Sequence, residues 1–365
     1  MALPTPTASS PTPAPSSGKM RATVALGADF WNDSCAVPEL AEAVRSGATG
    51  ATSNPVIVGA AVKADSATWV PFLDELIKGH PDASEDDVAW LLIEELGRRA
   101  AAVLRPVYDQ TRGAKGYLSM QVNPKLYRSA RAMADHGRRL AEVAPNVAIK
   151  VPATEAGLFA GAELVASGTN VNATVSFTLA QALAAAEAFE KAMDRAGEAA
   201  KSGRLHPYVT LMVGRLDDHL QRVMAKEAVS IDPGYLHWAG IAVFKKARAL
   251  FKARGYRSTL LAAAYRHHMH WSELIGPGVV LSMPYAWWKQ FEASDVEVRP
   301  TLDQPPPAHV VEALQRKFPE FRRAWLEDGL HPSEFVRYGA SLHTLQQFIG
   351  GYSDLLAFVR DRMLR

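Results

Sequence analysis

The chain has 365 residues, of which 40 are basic and 38 acidic, so its formal charge at pH 7 is only +2. A charge so near zero supplies no overall field to recruit nucleic acid or an anionic membrane, and any recognition of anions must be local. The length fits one large α/β barrel or two ordinary domains. The single cysteine, Cys35, excludes an intrachain disulfide framework and suits a reducing cytoplasm.

The first 20 residues differ in composition from the rest of the chain, being rich in Pro, Ser, Thr and Ala. We predict that residues 1–20 form a disordered tail. No window reaches the apolar length of a membrane helix, and the start lacks the basic residues and hydrophobic run of a secretory signal. The sequence therefore predicts a cytoplasmic protein without a membrane partner.

Eight short apolar runs follow the tail and alternate with amphipathic helical stretches. This pattern is typical of parallel sheets with crossover helices, and eight repeats favour a closed α/β fold, the (β/α)8 TIM barrel, over an open sheet. No Gly-x-Gly-x-x-Gly opens a helix after a strand, which argues against a dinucleotide fold. The predicted strands are 22–27, 47–53, 116–122, 147–153, 170–177, 208–214, 258–265 and 278–284.

The pattern changes to helices alone after the prolines at 305–307. We expect a catalytic barrel at 21–294 and a helical C-terminal extension at 295–365 that packs on the outside of the barrel. A homodimer contact is one use for such an extension.

Polar residues collect where the predicted strands end, and in barrels of this kind the chemistry lies at the carboxyl ends of the strands. Scattered structural residues would not be expected to supply an amine, carboxylates, amides, hydroxyls and two arginines from successive strand ends. In chain order these residues are Asp29, Asp33, Thr52, Ser53, Asn54, Ser119, Gln121, Asn123, Lys150, Asn172, Thr174, Ser176, Thr210, Arg215, Arg266 and Ser282.

Lys150 is the most informative residue because it lies within the apolar strand NVAIKVPAT at 146–154. Burial disfavours the ammonium form, which lowers the pKa and leaves neutral amine able to attack a carbonyl carbon and form a Schiff base. The alternative is a lysine that reaches water at the strand end or pairs with Glu155. This segment alone does not choose between the two.

The whole set of polar residues suggests class I aldol chemistry. Lys150 would attack a ketose carbonyl, and Asp33 would move a proton as the carbon–carbon bond breaks or forms. Arg215 and Arg266 suit a terminal phosphate, since guanidinium groups bind phosphate oxygens in pairs. For each arginine, an ordinary surface ion pair is the alternative.

Five motifs, in their order and spacing over residues 23–290, resemble the transaldolase family. They are TSNP (52–55), IKVPAT (149–154), NVNATVSFTLAQA (170–182), VGRLDD (213–218) and AAYR (263–266). The resemblance implies a (β/α)8 barrel without a metal or organic cofactor. It also implies a lysine Schiff base that carries a dihydroxyacetone unit from sedoheptulose 7-phosphate or fructose 6-phosphate to an aldose phosphate, in the pentose phosphate pathway.

Individual residues match the family's functional positions. Lys150 resembles the Schiff-base lysine, and Asp33 resembles the acid/base aspartate, with Asp29 as its rival. The other matches are Asn54 and Asn172 for amides that hold donor hydroxyls, Thr174 for a threonine that positions catalytic water, and Arg215 and Arg266 for phosphate-binding arginines.

Several positions depart from the family pattern. Gln121 stands where typical transaldolases have a glutamate, and an amide can hold the catalytic water but cannot shuttle a proton. The related fructose-6-phosphate aldolases also have glutamine there, yet Met212 replaces their tyrosine. Thr210 and Ala264 replace two serines of the phosphate site, and only the threonine keeps a hydroxyl.

Two other functions remain open at this point. One is a fructose-6-phosphate-aldolase-like enzyme or a specialised sugar aldolase, which would need no aldose acceptor. The other is a catalytically weak barrel with a binding role.

Three histidines, His267, His268 and His270, cluster after the seventh strand and could ligate a metal. No second group of ligands accompanies them at suitable spacing in the sequence. We therefore expect structural or substrate-lining histidines and no metal site.

Overall fold

The computed structural model of the chain describes residues 18–365. Most of the predicted tail, residues 1–17, lies outside these residues. Its last two residues are ordered, because helix α1 (Lys19–Ala25) begins there and Met20 is fully buried. The main-chain N–H groups of Lys19 and Met20 both donate to the carboxylate of Glu292, at 3.0 and 2.9 Å.

Eight parallel strands pair in chain order and close into a barrel when β8 pairs with β1. The predicted (β/α)8 TIM barrel is therefore confirmed. The strands are β1 (Asp29–Asn32), β2 (Gly50–Thr52), β3 (Tyr117–Gln121), β4 (Val147–Pro152), β5 (Val171–Thr174), β6 (Tyr208–Leu211), β7 (Thr259–Ala262) and β8 (Val279–Met283).

The predicted first strand, 22–27, is wrong. These residues belong mostly to α1, and β1 comes afterwards. Met20 and Thr23 are buried on one face of the helix, and the Thr23 hydroxyl accepts from Trp271 Nε1 at 3.0 Å. A short apolar run does not distinguish a strand from a buried helix, and tertiary packing decides here for the helix.

Helices follow or separate the strands, and three that follow the carboxyl ends of strands, α3, α7 and α8, begin with side-chain caps. Asn54, Thr154 and Thr178 accept hydrogen bonds from Ile57, Gly157 and Gln181 N–H groups at 3.0 to 3.1 Å. The other helices are α2 (Val37–Arg45), α3 (Pro55–Ala64), α4 (Ser66–Gly79), α5 (Glu85–Gln110), α6 (Ala130–Ala141), α7 (Glu155–Ala166), α8 (Leu179–Arg195), α9 (Glu198–Lys201), α10 (Val213–Glu227), α11 (Pro233–Leu236), α12 (Ala239–Arg254), α13 (Met269–Ser272), α14 (Tyr285–Ala293), α15 (Ala308–Lys317), α16 (Pro319–Trp325) and α17 (Gly339–Met363), with 3₁₀ turns at Pro124–Leu126 and Pro332–Arg337.

The inside of the barrel changes from apolar to polar along the strands. Towards the amino ends lies a buried apolar cluster, in which Trp31 packs edge-on against Tyr208 with ring centroids 4.8 Å apart. Gly50 makes room for the indole, because a Cβ there would lie 2.4 Å from Trp31 Cε2. Two residues further along the strands, inward-facing positions are polar and buried. They include Thr52, Ser119, Lys150, Asn172, Thr210 and Ser282.

The C-terminal extension does more than cover the outside of the barrel. Helix α17 packs against α3, α5, α10 and the turn after β3, so it crosses the carboxyl-terminal mouth. At one end Ser341 Oγ accepts from Gln181 Nε2 at 3.2 Å, and further along the Tyr352 hydroxyl donates to Asp86 at 2.7 Å. These contacts are made at the carboxyl-terminal end of the barrel. The division between 294 and 295 stays a prediction.

Among residues 18–365, no single helix is long and apolar enough to cross a membrane. Helices Pro55–Ala64 and Ser66–Gly79 together meet the criteria of length and composition, but they are bent by 111°.

Candidate active site

Lys150 lies in the wall of the barrel between two polar neighbours. It is in register with Gln121 of β3 and Asn172 of β5, and only 4% of it is exposed. Burial lowers the pKa of Lys150, the charge of Arg215 lowers it further, and the nearby Asp33 carboxylate opposes the change. Within the described part of the chain Nζ makes no hydrogen bond or salt bridge, and the predicted alternative of a Glu155 pair is not observed. The amine therefore meets the requirements of a nucleophile.

Asp33 and Asp29, the two rival aspartates, lie at opposite ends of the barrel. Asp33 follows β1 at the carboxyl end, where its carboxylate accepts from the Thr52 hydroxyl. Asp29 opens β1 at the amino end and is ion-paired with Lys115 Nζ at 2.5 Å. Of the two aspartates, Asp33 is the one whose charge acts on Lys150, and the geometry therefore favours Asp33 as the acid/base group.

Asn172 and its partners form a fixed hydrogen-bonded chain beside Lys150. The amide Nδ2 donates to Ser119 Oγ at 3.1 Å, and Oδ1 accepts from Thr210 Oγ1 at 2.7 Å. Since all three residues are buried, the chain fixes the amide orientation and leaves one Nδ2 hydrogen to donate. Thr210, expected at the phosphate site, donates its hydroxyl to Asn172 in this structure.

Gln121 and Thr174 present polar atoms on either side of Lys150. Gln121 Oε1 is buried and finds no protein partner in residues 18–365, which marks it as an acceptor for a ligand or water. Thr174 is fully buried, and its hydroxyl lies 3.9 Å from Met212 Sδ. The Met212 thioether thus occupies the place where a tyrosine hydroxyl was expected in an aldolase.

Asn54 lies at the mouth as the N-cap of α3. Its Oδ1 is committed to Ile57 N–H at 3.0 Å, so Nδ2 is the group left for a ligand. The side chain is half-buried.

Arg215 and Arg266 come together at the mouth. Arg215 lies in the first turn of α10, and burial, followed by the charge of Arg266, lowers its pKa to about 10. Arg266 donates to both carboxylate oxygens of Asp218, with Nε at 3.0 and 3.1 Å and Nη2 at 2.8 Å. The ion-pair alternative therefore describes Arg266. In the described residues Arg215 has no carboxylate partner, so its guanidinium, near a helix N-terminus, suits an anion.

Two residues near the arginines explain why they meet. Ala264, after β7, has a left-handed backbone with φ of 66°, a conformation that costs a residue with a Cβ roughly 1 to 3 kcal/mol. Gly214 lets this loop approach α10, because a Cβ there would lie 2.1 Å from the Ala264 oxygen and 2.8 Å from Arg266 Cγ. The glycine of VGRLDD is therefore a close-approach residue.

Helix α17 contributes contacts that the motifs did not predict. Arg215 Nη1 donates to Gln347 Oε1, and the guanidinium lies 5.6 Å from the centre of the Phe348 ring. Gln347 Nε2 lies 3.0 Å from His343 Nε2. No local sequence pattern predicts these contacts, because Gln347 and Phe348 lie near the other end of the chain.

The histidine cluster has a further ligand group that sequence spacing did not show. Ligand atoms of Asp217, His267 and His270 lie within 4.8 Å of one another. However, His270 Nδ1 accepts from the Arg266 main-chain N–H at 3.0 Å, so the neutral ring carries its proton on Nε2, 2.9 Å from Asp217 Oδ2. A metal bound to Nε2 would need an unprotonated Nε2 and a proton on Nδ1 that is donated to a neighbouring acceptor. The observed hydrogen bonds require the opposite tautomer. The geometry therefore favours a hydrogen-bonded cluster.

A model of the transaldolase/fructose-6-phosphate aldolase family matches residues 30–328. The chain belongs to this family. Its relatives include "Transaldolase 1" of Streptomyces avermitilis, 30% identical over 64% of this chain and 68% of the relative. The transaldolases of Neisseria meningitidis (29% identical, 73% and 81%) and Kocuria rhizophila (27% identical, 85% and 87%) are also similar. The resemblance inferred from the five motifs is confirmed.

Membership in the transaldolase/fructose-6-phosphate aldolase family is consistent with the barrel and covers part of the extension, since the match ends beyond α16. Helix α17, which supplies Gln347 and Phe348, lies after the matched residues. The mouth of this family member is therefore completed by a segment outside the match.

Proposed function

We propose that this chain is a transaldolase that works through a Schiff base on Lys150. It moves a dihydroxyacetone unit from sedoheptulose 7-phosphate or fructose 6-phosphate to an aldose phosphate, as in the pentose phosphate pathway of the cytoplasm. The observation that carries the proposal is the buried amine of Lys150, which has no ion-pair partner in the described residues and lies within electrostatic reach of the Asp33 carboxylate. The transaldolase names of the relatives support it.

The residues divide the reaction between them. Neutral Lys150 Nζ attacks the ketose carbonyl carbon, and loss of water, with one proton taken up from solvent, leaves an iminium ion. Asp33 takes the proton from the hydroxyl on the carbon beyond the dihydroxyacetone unit, the carbon–carbon bond breaks, and its electron pair passes to the iminium to form an enamine. The enamine then attacks the acceptor aldehyde, whose oxygen recovers the proton, and water releases the product.

The other site residues bind and orient the sugar. Gln121 and Thr174 hold the water that leaves and returns, while Asn54 and Asn172 donate their free amide hydrogens to donor hydroxyls. Arg215 and Arg266 hold the terminal phosphate, and Thr210 keeps Asn172 oriented through its 2.7 Å bond.

Simple aldolase activity is the second candidate, because Gln121 resembles the glutamine that fructose-6-phosphate aldolases have at this position. The contact between Thr174 and Met212 opposes it, since a thioether cannot move a proton. Turnover that requires an aldose acceptor distinguishes the transferase from the aldolase. A barrel with a binding role only, the third candidate, would form no covalent intermediate.

Borohydride trapping tests the proposal directly. The protein is incubated with fructose 6-phosphate and reduced, and the adduct is located by intact mass and peptide mapping. A single reduced adduct on Lys150 is expected. Lys150→Ala is the negative control, and Lys125→Met, which removes an exposed lysine after β3, is the matched control that should still be labelled. Folded protein that gives no adduct with any ketose phosphate would refute the proposal.

Changing Gln121 to glutamate should move Schiff-base formation to higher pH. Gln121 is in register with Lys150, so a carboxylate there would stabilise the ammonium form and raise the pKa that burial has lowered. The measurement is the pH dependence of the trapping rate. Gln121→Met removes the amide without adding charge and should leave the midpoint of the profile in place. The same midpoint in Gln121→Glu would mean that the side chain does not face the amine.

A further inference from the structure

We infer that Asp217 and His270 are positioning residues, which hold Arg266 at the distance from Arg215 that a substrate phosphate requires. This inference rests on the proposed function, because it takes the two arginines to be the phosphate-binding pair. It gives the histidine cluster a role in substrate affinity in place of metal binding.

The hydrogen bonds from Asp217 to Arg266 have only one consistent set of donors. Gly240 N–H donates to Asp217 Oδ1 at 2.9 Å, and the Arg266 N–H donates to His270 Nδ1 at 3.0 Å. His270 must then donate from Nε2 to Asp217 Oδ2, at 2.9 Å. Both side chains are buried, and the tautomer of the ring is therefore fixed by its surroundings.

Asp217 remains an acceptor throughout. Burial raises its pKa, but the electrostatic effect of the His270 ring, the hydrogen bonds from His267 and His270, and the Gly240 N–H together bring the pKa below its ordinary value. His267 Nε2 lies 3.3 Å from the same carboxylate oxygen, and its ring centroid lies 3.8 Å from that of His270 with the two rings tilted by 35°. His267 thus covers one side of the Asp217–His270 pair.

Two adjacent carboxylates of α10 restrain Arg266, one at its side chain and the other at its main chain. Asp218 binds the guanidinium, while Asp217 reaches the main chain through His270. Arg215 belongs to the first turn of the same helix, so α10 sets both arginines. The left-handed backbone of Ala264 needs such a restraint, because strained conformations persist only where neighbouring contacts over-determine them.

The charge-neutralising substitution Asp217→Asn tests the inference with almost no change in volume. An asparagine has one oxygen and cannot accept from both the Gly240 N–H and His270 Nε2. Either its NH2 group points at the Gly240 N–H, so that two donors face each other, or His270 moves its proton to Nδ1, which then faces the Arg266 N–H as a second donor. We expect the dissociation constant of inorganic phosphate, measured by calorimetry, and the KM for fructose 6-phosphate to rise roughly tenfold to a hundredfold. Trapping of unphosphorylated dihydroxyacetone on Lys150 should keep its rate.

A second pair of variants separates positioning from folding. His270→Asn keeps an acceptor near the place of Nδ1, whereas His270→Leu fills the site without one. We expect His270→Asn to retain more phosphate affinity than His270→Leu at similar unfolding temperatures. His268→Asn, which changes an exposed histidine of the same segment, is the matched control and should bind phosphate like the wild type.

Three results would overturn the inference. They are unchanged phosphate affinity in Asp217→Asn, an equal loss of phosphate binding and dihydroxyacetone trapping, and uptake of one Zn²⁺ that depends on His270. A wild-type protein that traps no ketose would refute the proposed function instead. Its phosphate affinity and that of the variants would still test the positioning of Arg266.

Discussion

Replacing Lys150 with methionine should remove nearly all turnover of fructose 6-phosphate with an aldose phosphate acceptor. The substitution deletes the only group that can form the covalent intermediate in the proposed reaction, and losses of nucleophiles cost on the order of 10⁴-fold or more in rate. The measurement is the steady-state rate of aldose transfer, with Lys125→Met as the control that keeps full activity. Turnover within tenfold of the wild type would contradict the role of Lys150.

Although Lys150→Met should lose activity, its stability should be equal to or higher than that of the wild type. Burial lowers the pKa of Lys150 from its ordinary 10.5, so below pH 10.5 the unfolded chain binds the proton more tightly than the folded chain. The lysine therefore destabilises the fold at neutral pH, and its penalty lessens as pH rises. Methionine has similar length and no charge, and we expect Lys150→Met to unfold at an equal or higher temperature at pH 7. Inactive protein of undiminished stability would show that the amine is retained for chemistry.

The barrel was predictable because its pattern is repeated. Each of the last seven predicted strands contains an observed strand, since short apolar runs between amphipathic helices leave few alternatives over so many repeats. The run at 22–27 failed because it is as compatible with a buried helix, and the contact of Thr23 with Trp271, far along the chain, decides its structure. The sixth predicted strand ran into α10 because its residues are apolar on both sides of the boundary.

The sequence predicted only those site residues that lie at the carboxyl ends of the strands. Lys150, Gln121 and Asn172 are neighbours because parallel strands align their carboxyl ends. Composition could not separate Asp33 from Asp29, whose positions at opposite ends follow from where β1 begins.

Contacts between distant segments could not be predicted. Gln347 reaches Arg215 across 132 positions, and His270 reaches Asp217 across 53. Neither contact leaves a periodic trace in the sequence, because each depends on how a loop or terminal helix packs over the mouth.

Changing Asp33 to asparagine should slow carbon–carbon bond cleavage by roughly 10² to 10⁴-fold while a Schiff base still forms on Lys150. Asparagine keeps an oxygen that can accept from the Thr52 hydroxyl, but it cannot take the proton from the donor hydroxyl. The iminium should accumulate, and borohydride should trap it at wild-type yield. Loss of the carboxylate charge also removes the effect that raises the pKa of Lys150, so trapping should extend to lower pH.

Asp29→Asn is the matched control, because it makes the same chemical change four residues earlier, at the other end of β1 and of the barrel. It breaks the ion pair with Lys115 and should lower stability slightly, since such partly exposed pairs contribute little, while cleavage keeps its rate. A single-turnover experiment that follows aldose release and adduct formation in parallel distinguishes the two variants. If Asp29→Asn slowed release as much as Asp33→Asn, the acid/base role would not belong to the mouth of the barrel. If Asp33→Asn abolished adduct formation together with cleavage, the carboxylate would be required for the attack of the amine, and the bond-breaking proton transfer would need another base.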